Sequence, residues 1–581
     1  MKKNSRKKKF ISNIHFKIII QSPHYHIYKV DLNLELKQEN IKLFLPVWSP
    51  GSYMIRDYSG HIFGMEARSK KGKEIPIEQK GLSQWDIQSD EKSIIVSYNV
   101  FANEPTVRTN FLDSEYGFIN PTAFFIYPEK LLDHTVTLEF DKMPFKKIYT
   151  TLESSDDHFF MAENYNELYD SPLQLTNRSS SSFESYNCRH ELIIEGNIPP
   201  NIKDNLVNDL KRITDKQSSM FGDNPNSYYL FILNMLDDYY GGLEHKACSV
   251  NMFNPAKITE HTEYIRLLGL LCHEYFHLWN IKRIRPIAFG PFDYQKPALS
   301  KELWVAEGIT SFYDNYILYL CGITSANEYV NEIISDINRL EENWGEDWMS
   351  LEEASFTAWT KYYKQHQNSN NLTISYYVKG SIFILCIDIY IRETTSQKYS
   401  FFDVLKYLYK IYAIKKKRGF TKEEFFQAVI DSTGIDVYDL FSEYLESPKR
   451  LPAKLYLEKI GVTISKSNNK GGLPFELKTS GGREIISKVY MQHLGNLDIS
   501  TGDEVIAINK KRIHKDSFEK LRNSFEDGEE INILLSRRDK ILERKFTVKN
   551  IYTYKLDSIK YEKNPLGLHF FEGGIKPIDG I

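Results

Sequence analysis

The run LLCHEYFHLWNIKRIRP, Leu270 to Pro286, carries His273 and His277 four residues apart, with Glu274 directly after the first. On a helix, four residues make slightly more than one turn, so both imidazoles leave the same face. Neutral imidazoles so placed can each give a nitrogen to Zn2+ at about 2.0–2.1 Å. Glu274 lies about 100° further round the helix. It does not easily ligate the same ion, but it reaches a water beside it, which is where a general base must stand. The pattern is short. With 15 histidines in 581 residues, chance produces it in roughly one such chain in forty. The pair is half a site until a third ligand is found that still leaves a position for water.

Three further stretches could complete it. In KELWVAEGITSFYDNYIL, Glu307 stands among Trp304, Val305, Ile309 and Phe312. A carboxylate there is costly to bury unless paired or metal-bound. The competing reading is a surface glutamate on an amphipathic helix. Asp314, seven residues on, could accept a hydrogen bond from the second nitrogen of a ligating histidine, and a solvated helix carboxylate reads the same way. In DDYYGGLEHKACSVNMF, Gly241 and Gly242 permit close backbone approach, and Glu244 follows at the start of an expected edge strand. A carboxylate beside a zinc cleft can hold a peptide's N-terminal ammonium, while the strand edge pairs with the peptide backbone. An ordinary turn with a surface glutamate is the blander alternative. In ISYYVKGSIFILCIDIYIR, Tyr377 could donate its hydroxyl to an oxyanion. Spacing alone favours a core tyrosine at a helix start.

The elements that must position these residues follow from hydrophobic period. At 581 residues the chain is too long for one core, and about three or four domains are expected. Residues 1–180 alternate apolar and polar in short runs such as HIYKVDLNLEL and KSIIVSYNVF, which predicts a β-rich, sandwich-like domain. The serine run Ser179–Ser182 reads as a linker or exposed loop. Residues 181–452 begin with a few strands and continue as helices over about 262–284, 301–320, 325–341 and 376–394, an α+β arrangement. Strands return over 453–550, and the tail 551–581 shows no clear period. The predicted fold class is multidomain α+β.

Composition excludes several partners. The chain is 41% hydrophobic and 26% charged with net charge −3, and no basic stripe dominates, which argues against nucleic acid. The run Ser381 to Ile391 is short and carries Asp388, which predicts a core helix and no membrane span. Five widely spaced cysteines (Cys188, Cys248, Cys272, Cys321, Cys386) without a Cys-x-x-Cys suit a reducing compartment. The basic start MKKNSRKKKF is followed by no apolar h-region, so a cytoplasmic location is expected.

Taken together, the motifs resemble the glycyl aminopeptidase family of zinc metallopeptidases, in the gluzincin group. The resemblance is nearly full length: LPVWSPGSYMIRDYSGHI, RTNFLDSEYGFIN, YGGLEHK, HEYFHLWNIKRIRP, FGPFDY, LWVAEGITSFYDN and SYYVKG follow in the family's order, and a PDZ-like segment comes last. It implies a thermolysin-like catalytic domain behind the N-terminal β domain, with one Zn2+ per chain on His273, His277 and Glu307. It implies Glu274 as general base, Glu244 as anchor for the free N-terminus, with Gly241 and Gly242 beside the substrate, and Tyr377 as oxyanion donor. Substrates would be peptides beginning with Gly or Ala. A thermolysin-like endopeptidase and a non-catalytic PDZ scaffold are the alternatives. The PDZ-like segment, a possible peptide or subunit contact, departs from its pattern at Pro474 in GGLPFELK, where proline removes a backbone donor to a peptide carboxylate.

Overall fold

The computed structural model describes residues 12–35, 40–522 and 524–573. Two compact units divide the chain. The first runs to Arg283 and takes in Phe289–Ala298; the second takes Ile284–Ala288 and runs on from Leu299. The units therefore cut the chain at different places from the changes of hydrophobic period.

In the first unit, Ile14–Ile19 pairs antiparallel with Ile27–Glu35 and parallel with Val136–Asp141, at the centre of an eight-stranded sheet. Ile14, Phe16 and Ile18 are buried while His15 and Lys17 are not, which is the alternation read from the sequence. Two four-stranded sheets complete this β-rich part. Its core is aromatic, and the buried tyrosines are anchored: Tyr98, Tyr165 and Tyr169 donate to the carbonyls of Phe124, Ile126 and Phe125 at 3.0–3.2 Å. Burying these three rings therefore leaves none of their hydroxyls stranded.

The same unit holds a five-stranded sheet in the order Ser181–Ser185, Cys188–Glu195, Tyr228–Met235, Cys248–Phe253, Tyr240–Glu244. Only half of the serine run is a loop: Ser179 and Ser180 precede the strand, and Ser181 and Ser182 open it. Ser181–Ser185 pairs antiparallel with Cys188–Glu195, and Tyr186 and Asn187 take φ 49° and 58° at the hairpin turn. Serine's polarity suits the solvent side of an edge strand as well as a loop, so composition did not separate them. The helices Pro200–Phe221 and His261–Phe276 pack on each other, and the second lies against Tyr240–Glu244 and Cys248–Phe253.

The second unit is helical over its first half. Its central helix Tyr376–Thr394 buries nearly every residue. The segment Ser369–Thr394 is long and apolar enough to cross a membrane by composition, yet 83% of its most apolar window is buried inside the protein. A six-stranded sheet built on Phe475–Ser480, Arg483–Val489, Glu504–Ile508, Glu530–Arg537 and Lys540–Thr547 follows. The stretch read as a periodless tail begins with half of a two-stranded ribbon, Lys549–Ile559 on Val462–Gly472. The helix Pro565–Phe571 then closes on the helical body, where Arg392 meets the Nδ1 of His569 at 3.0 Å. Most of the ribbon strand is half-exposed on both faces, so no alternation is written into it.

Candidate active site

The helix expected over about 262–284 ends at Phe276, with His277 as its C-cap. His273 and His277 stand one turn apart with ring centroids 4.6 Å apart and planes at 85°. His277 is buried, and its Nδ1 donates to the carbonyl of Asn280 at 2.8 Å. That bond puts the proton on Nδ1 and a lone pair on Nε2, the tautomer a metal-ligating histidine needs. Beyond the cap the chain turns sharply. Lys282 N–H returns to the His277 carbonyl at 3.1 Å, and Ile281 is held at φ 129°, a strained conformation for a β-branched residue.

Glu244 is the last residue of the edge strand Tyr240–Glu244, not the first. The two glycines lie within the strand, opposite Met252 and Asn251, and the hairpin turn follows, with His245 N–H on the Cys248 carbonyl at 2.9 Å. Gly242 and Glu244 are two residues apart and so share a face. A Cβ on Gly242 would overlap Oε1 of Glu274, and a Cβ on Gly51 would overlap the carboxylate of Glu244. Glycine is needed at position 51 for a second reason: Ser49-Pro50-Gly51-Ser52 is a turn with Ser52 N–H on the Ser49 carbonyl at 2.9 Å and Gly51 at φ 88°, the geometry of a type II turn.

Glu244, Glu274 and His277 bring one potential ligand atom each to within 4.8 Å of one another. Glu244 and Glu274 are only 4% and 5% exposed. Among the described residues the Glu244 carboxylate has no hydrogen-bond or ion-pair partner. Two nearly buried carboxylates this close call for positive charge, from a cation or an ammonium group.

In the second unit, Glu307 sits in a π-helical turn, Trp304–Gly308, every residue of which is buried. The Ile309 N–H reaches back to the Trp304 carbonyl, so the extra residue per turn interrupts the α-helix expected over 301–320. Asp314 is buried on the helix Ile309–Leu320 that follows. Tyr377 is the second residue of Tyr376–Thr394, half-buried, stacked on Tyr362 at 5.7 Å and 3.4 Å from the hydroxyl of Tyr363. Burial pushes its phenol well above the usual value, with Glu307 adding to the effect, so the hydroxyl keeps its proton. Gly308 and Gly380 cross at their backbones: a Cβ on Gly308 would lie 2.6 Å from the Cα of Gly380. The structure thus gathers His273, His277, Glu274, Glu244 and Gly242 in one unit, and Glu307, Asp314 and Tyr377 in the other.

Sequence reasoning passed over four residues near Glu244. Gly51 was legible as a Pro-Gly turn, though not as a neighbour of Glu244. Arg108 donates to the Gly242 carbonyl at 3.4 Å. Asp170 and Lys282 form an ion pair at 3.1 Å, which no short pattern in the sequence marks.

A family model described as the Peptidase M61 N-terminal domain matches residues 15–177, and one described as M61 glycyl aminopeptidase matches residues 266–383. No curated protein matches the chain by sequence. Among solved structures, an aminopeptidase N family protein from Idiomarina loihiensis superposes with TM-score 0.89 at 28% identity, over 97% of this chain and 100% of that one. An M1 zinc metallopeptidase variant from Deinococcus radiodurans bound to a Tyr-Ser-Ala substrate gives TM-score 0.46 at 11% identity, over 76% of this chain and 95% of that one. Yeast LTA4 hydrolase in complex with bestatin gives 0.45 at 13%, over 77% and 71%. The family models and the full-length superposition support a peptidase with a β-rich N-terminal domain and a helical region after it.

Proposed function

We propose that this chain is a zinc-dependent aminopeptidase that hydrolyses the first bond of peptides beginning with Gly or Ala. The observation that carries the reading is the Glu244 carboxylate, nearly buried and without a partner among the described residues, beside Glu274 and His277. A peptide's free ammonium is the charge it lacks.

His273, His277 and Glu307 would hold one Zn2+ per chain. The donor chemistry fits: two imidazoles one helical turn apart, one with its tautomer set by Asn280, and one buried carboxylate. Zinc, when bound, supplies Lewis acidity toward the peptide carbonyl and makes water a stronger acid.

The chain's own groups do the rest. Glu244 pairs with the substrate ammonium and so sets the register at the first peptide bond. The free edge of Tyr240–Glu244 pairs with the peptide backbone. Glu274 takes a proton from the attacking water and returns it to the leaving amine. Tyr377, protonated, donates to the oxyanion that develops on the carbonyl. Asp314 supports the ligand set from behind. Gly241 and Gly242 keep side chains out of the space the substrate backbone takes.

Residues 453–550 are a PDZ-like domain in this reading. Its carboxylate-loop position Pro474 has no N–H, and its carbonyl is used by Tyr490 N–H at 2.8 Å. A structural or subunit-contact role fits better than capture of peptide C-termini. The five cysteines form no disulfide among the described residues, which suits the reducing compartment of this reading.

The test is a panel of free and N-acetylated peptides, with and without a chelator. Release of Gly or Ala from free peptides alone, lost on chelation, is expected. Cleavage of the acetylated peptides would instead make the chain an endopeptidase.

A further inference from the structure

The proposed amine anchor has a rival cation built into the protein. Glu244 and Lys282 line one cavity of about 20 Å3, together with Trp48, Gly51, Tyr53 and Phe292 among others. That is room for about one water. Lys282 has only 12% of its side chain exposed. Its charge is favoured by Asp170 and by Glu244, against the cost of burial.

Lys282 does not pair with Glu244. Its Nζ sits 3.1 Å from Oδ1 of Asp170. Asp170 is itself held in place: its Oδ2 accepts the Lys246 N–H at 2.8 Å and its Oδ1 meets Nδ1 of His245 at 3.1 Å. Asp170 follows the helix Tyr165–Tyr169, while His245 and Lys246 form the hairpin turn directly after Glu244. One aspartate from the β-rich part thus grips the lysine and the turn that carries the anchor.

We propose that Asp170 is a positioning residue which holds Lys282 off Glu244, leaving that carboxylate for the substrate's ammonium. This rests on the reading of Glu244 as the amine anchor. Besides Asp170, the carboxylate that acts on the Lys282 ammonium is Glu244, which lines the same cavity. A buried ammonium does not stay unpaired, so without the Asp170 charge Lys282 would turn to Glu244 and compete with substrate from within the protein.

The experiment measures kcat and KM of the full chain on a free Gly-initiated peptide for Glu244→Gln, Asp170→Asn, Lys282→Met and the double variant Asp170→Asn/Lys282→Met. Asp170→Asn keeps an acceptor for Lys246 N–H. It should raise KM by about tenfold or more, as loss of one member of a buried charge pair does, with kcat changed far less. The double variant should recover most of the lost KM, because the competing ammonium is gone. A merely structural Asp170 would not be rescued in this way. Lys282→Met alone should leave KM equal or lower, and this arm stands even where Asp170→Asn fails to fold. A KM raised severalfold by Lys282→Met, a wild-type KM in Asp170→Asn, or no recovery in the double variant would each overturn the inference. An unchanged KM in Glu244→Gln overturns the anchor reading and the inference together. A raised KM there with a wild-type Asp170→Asn overturns the inference alone.

Discussion

Gly242 and Glu274 share one small volume: a Cβ on the glycine would overlap Oε1 of the glutamate. The edge strand thus comes up to the HExxH helix with no side chain in between, and the carboxylate lies against bare backbone. In the proposed mechanism this contact would make the strand part of the catalytic geometry as well as a rail for the substrate.

Gly242→Ala should therefore separate activity from stability. The displaced atom is the far end of a flexible side chain, so the fold can yield cheaply, and a stability loss of about 1 kcal/mol or less is expected. The carboxylate, however, must swing away from its place. A misplacement of about 1 Å costs on the order of a hundredfold in rate. Comparison of kcat/KM with the melting temperature of the same variant checks this; equal damage to both, or to neither, would refute it.

Zinc content should follow the proposed ligands and not the base. His273→Ala and His277→Ala should lower metal bound per chain, measured by atomic absorption after dialysis. Glu274→Gln should keep the metal and lose most turnover, about a hundredfold or more, as expected for loss of general acid–base catalysis. Full activity in Glu274→Gln would sink the mechanism while leaving the metal site standing.

In the second unit, Gly308 and Gly380 bring two backbones together, each blocking a Cβ on the other. Gly308 follows Glu307, and Gly380 lies three residues after Tyr377. Alanine at either position must push backbone against backbone, where no rotamer offers escape. A loss of about 1–3 kcal/mol, typical of overpacking, is expected, read as a lower urea midpoint. An unchanged midpoint would show that the helices can part without cost.

How much of this was readable beforehand depended on whether the information was local. The His273–His277 pair was legible because a period near 3.6 places residues four apart on one face, and the structure sets the two rings side by side. The β-rich start was legible because alternation such as Ile14, Phe16 and Ile18 marks one buried face. The π turn around Glu307 was not, since a single extra residue leaves the apolar period nearly intact. The place of Glu244 in its strand was missed for a related reason. The two glycines read correctly as allowing close backbone approach, but glycine is uncommon inside strands, so the strand was placed after them, whereas here they sit within it, with Gly242 against Glu274. Asp170 and Lys282 were out of reach altogether, because their pairing spans 112 residues of sequence and no short pattern encodes it.

A buried histidine packed against the helix His261–Phe276 sets an acid limit. His190 is 0% exposed, and its ring meets the hydroxyl of Tyr275, two residues before His277, at 2.9 Å. Burial lowers its pKa from 6.5 to about 4. Above pH 6.5 the imidazole is neutral in both folded and unfolded chains, and its ionisation costs nothing. As pH falls from 6.5 toward about 4, the unfolded chain takes up a proton that the folded chain refuses, so stability drops. At about 1.4 kcal/mol per unit the loss approaches about 3 kcal/mol, and below the folded value it stops growing. His190→Gln lacks the ionisation. Near neutral pH it should be less stable than the parent, having lost a packed ring, and the gap should narrow steadily on acidification through that window. Urea midpoints of both proteins in chelator, at about pH 7, 6 and 5, isolate the effect, because pH-dependent metal binding is then common to neither. A gap that stays constant with pH would show that His190 is not the group responsible.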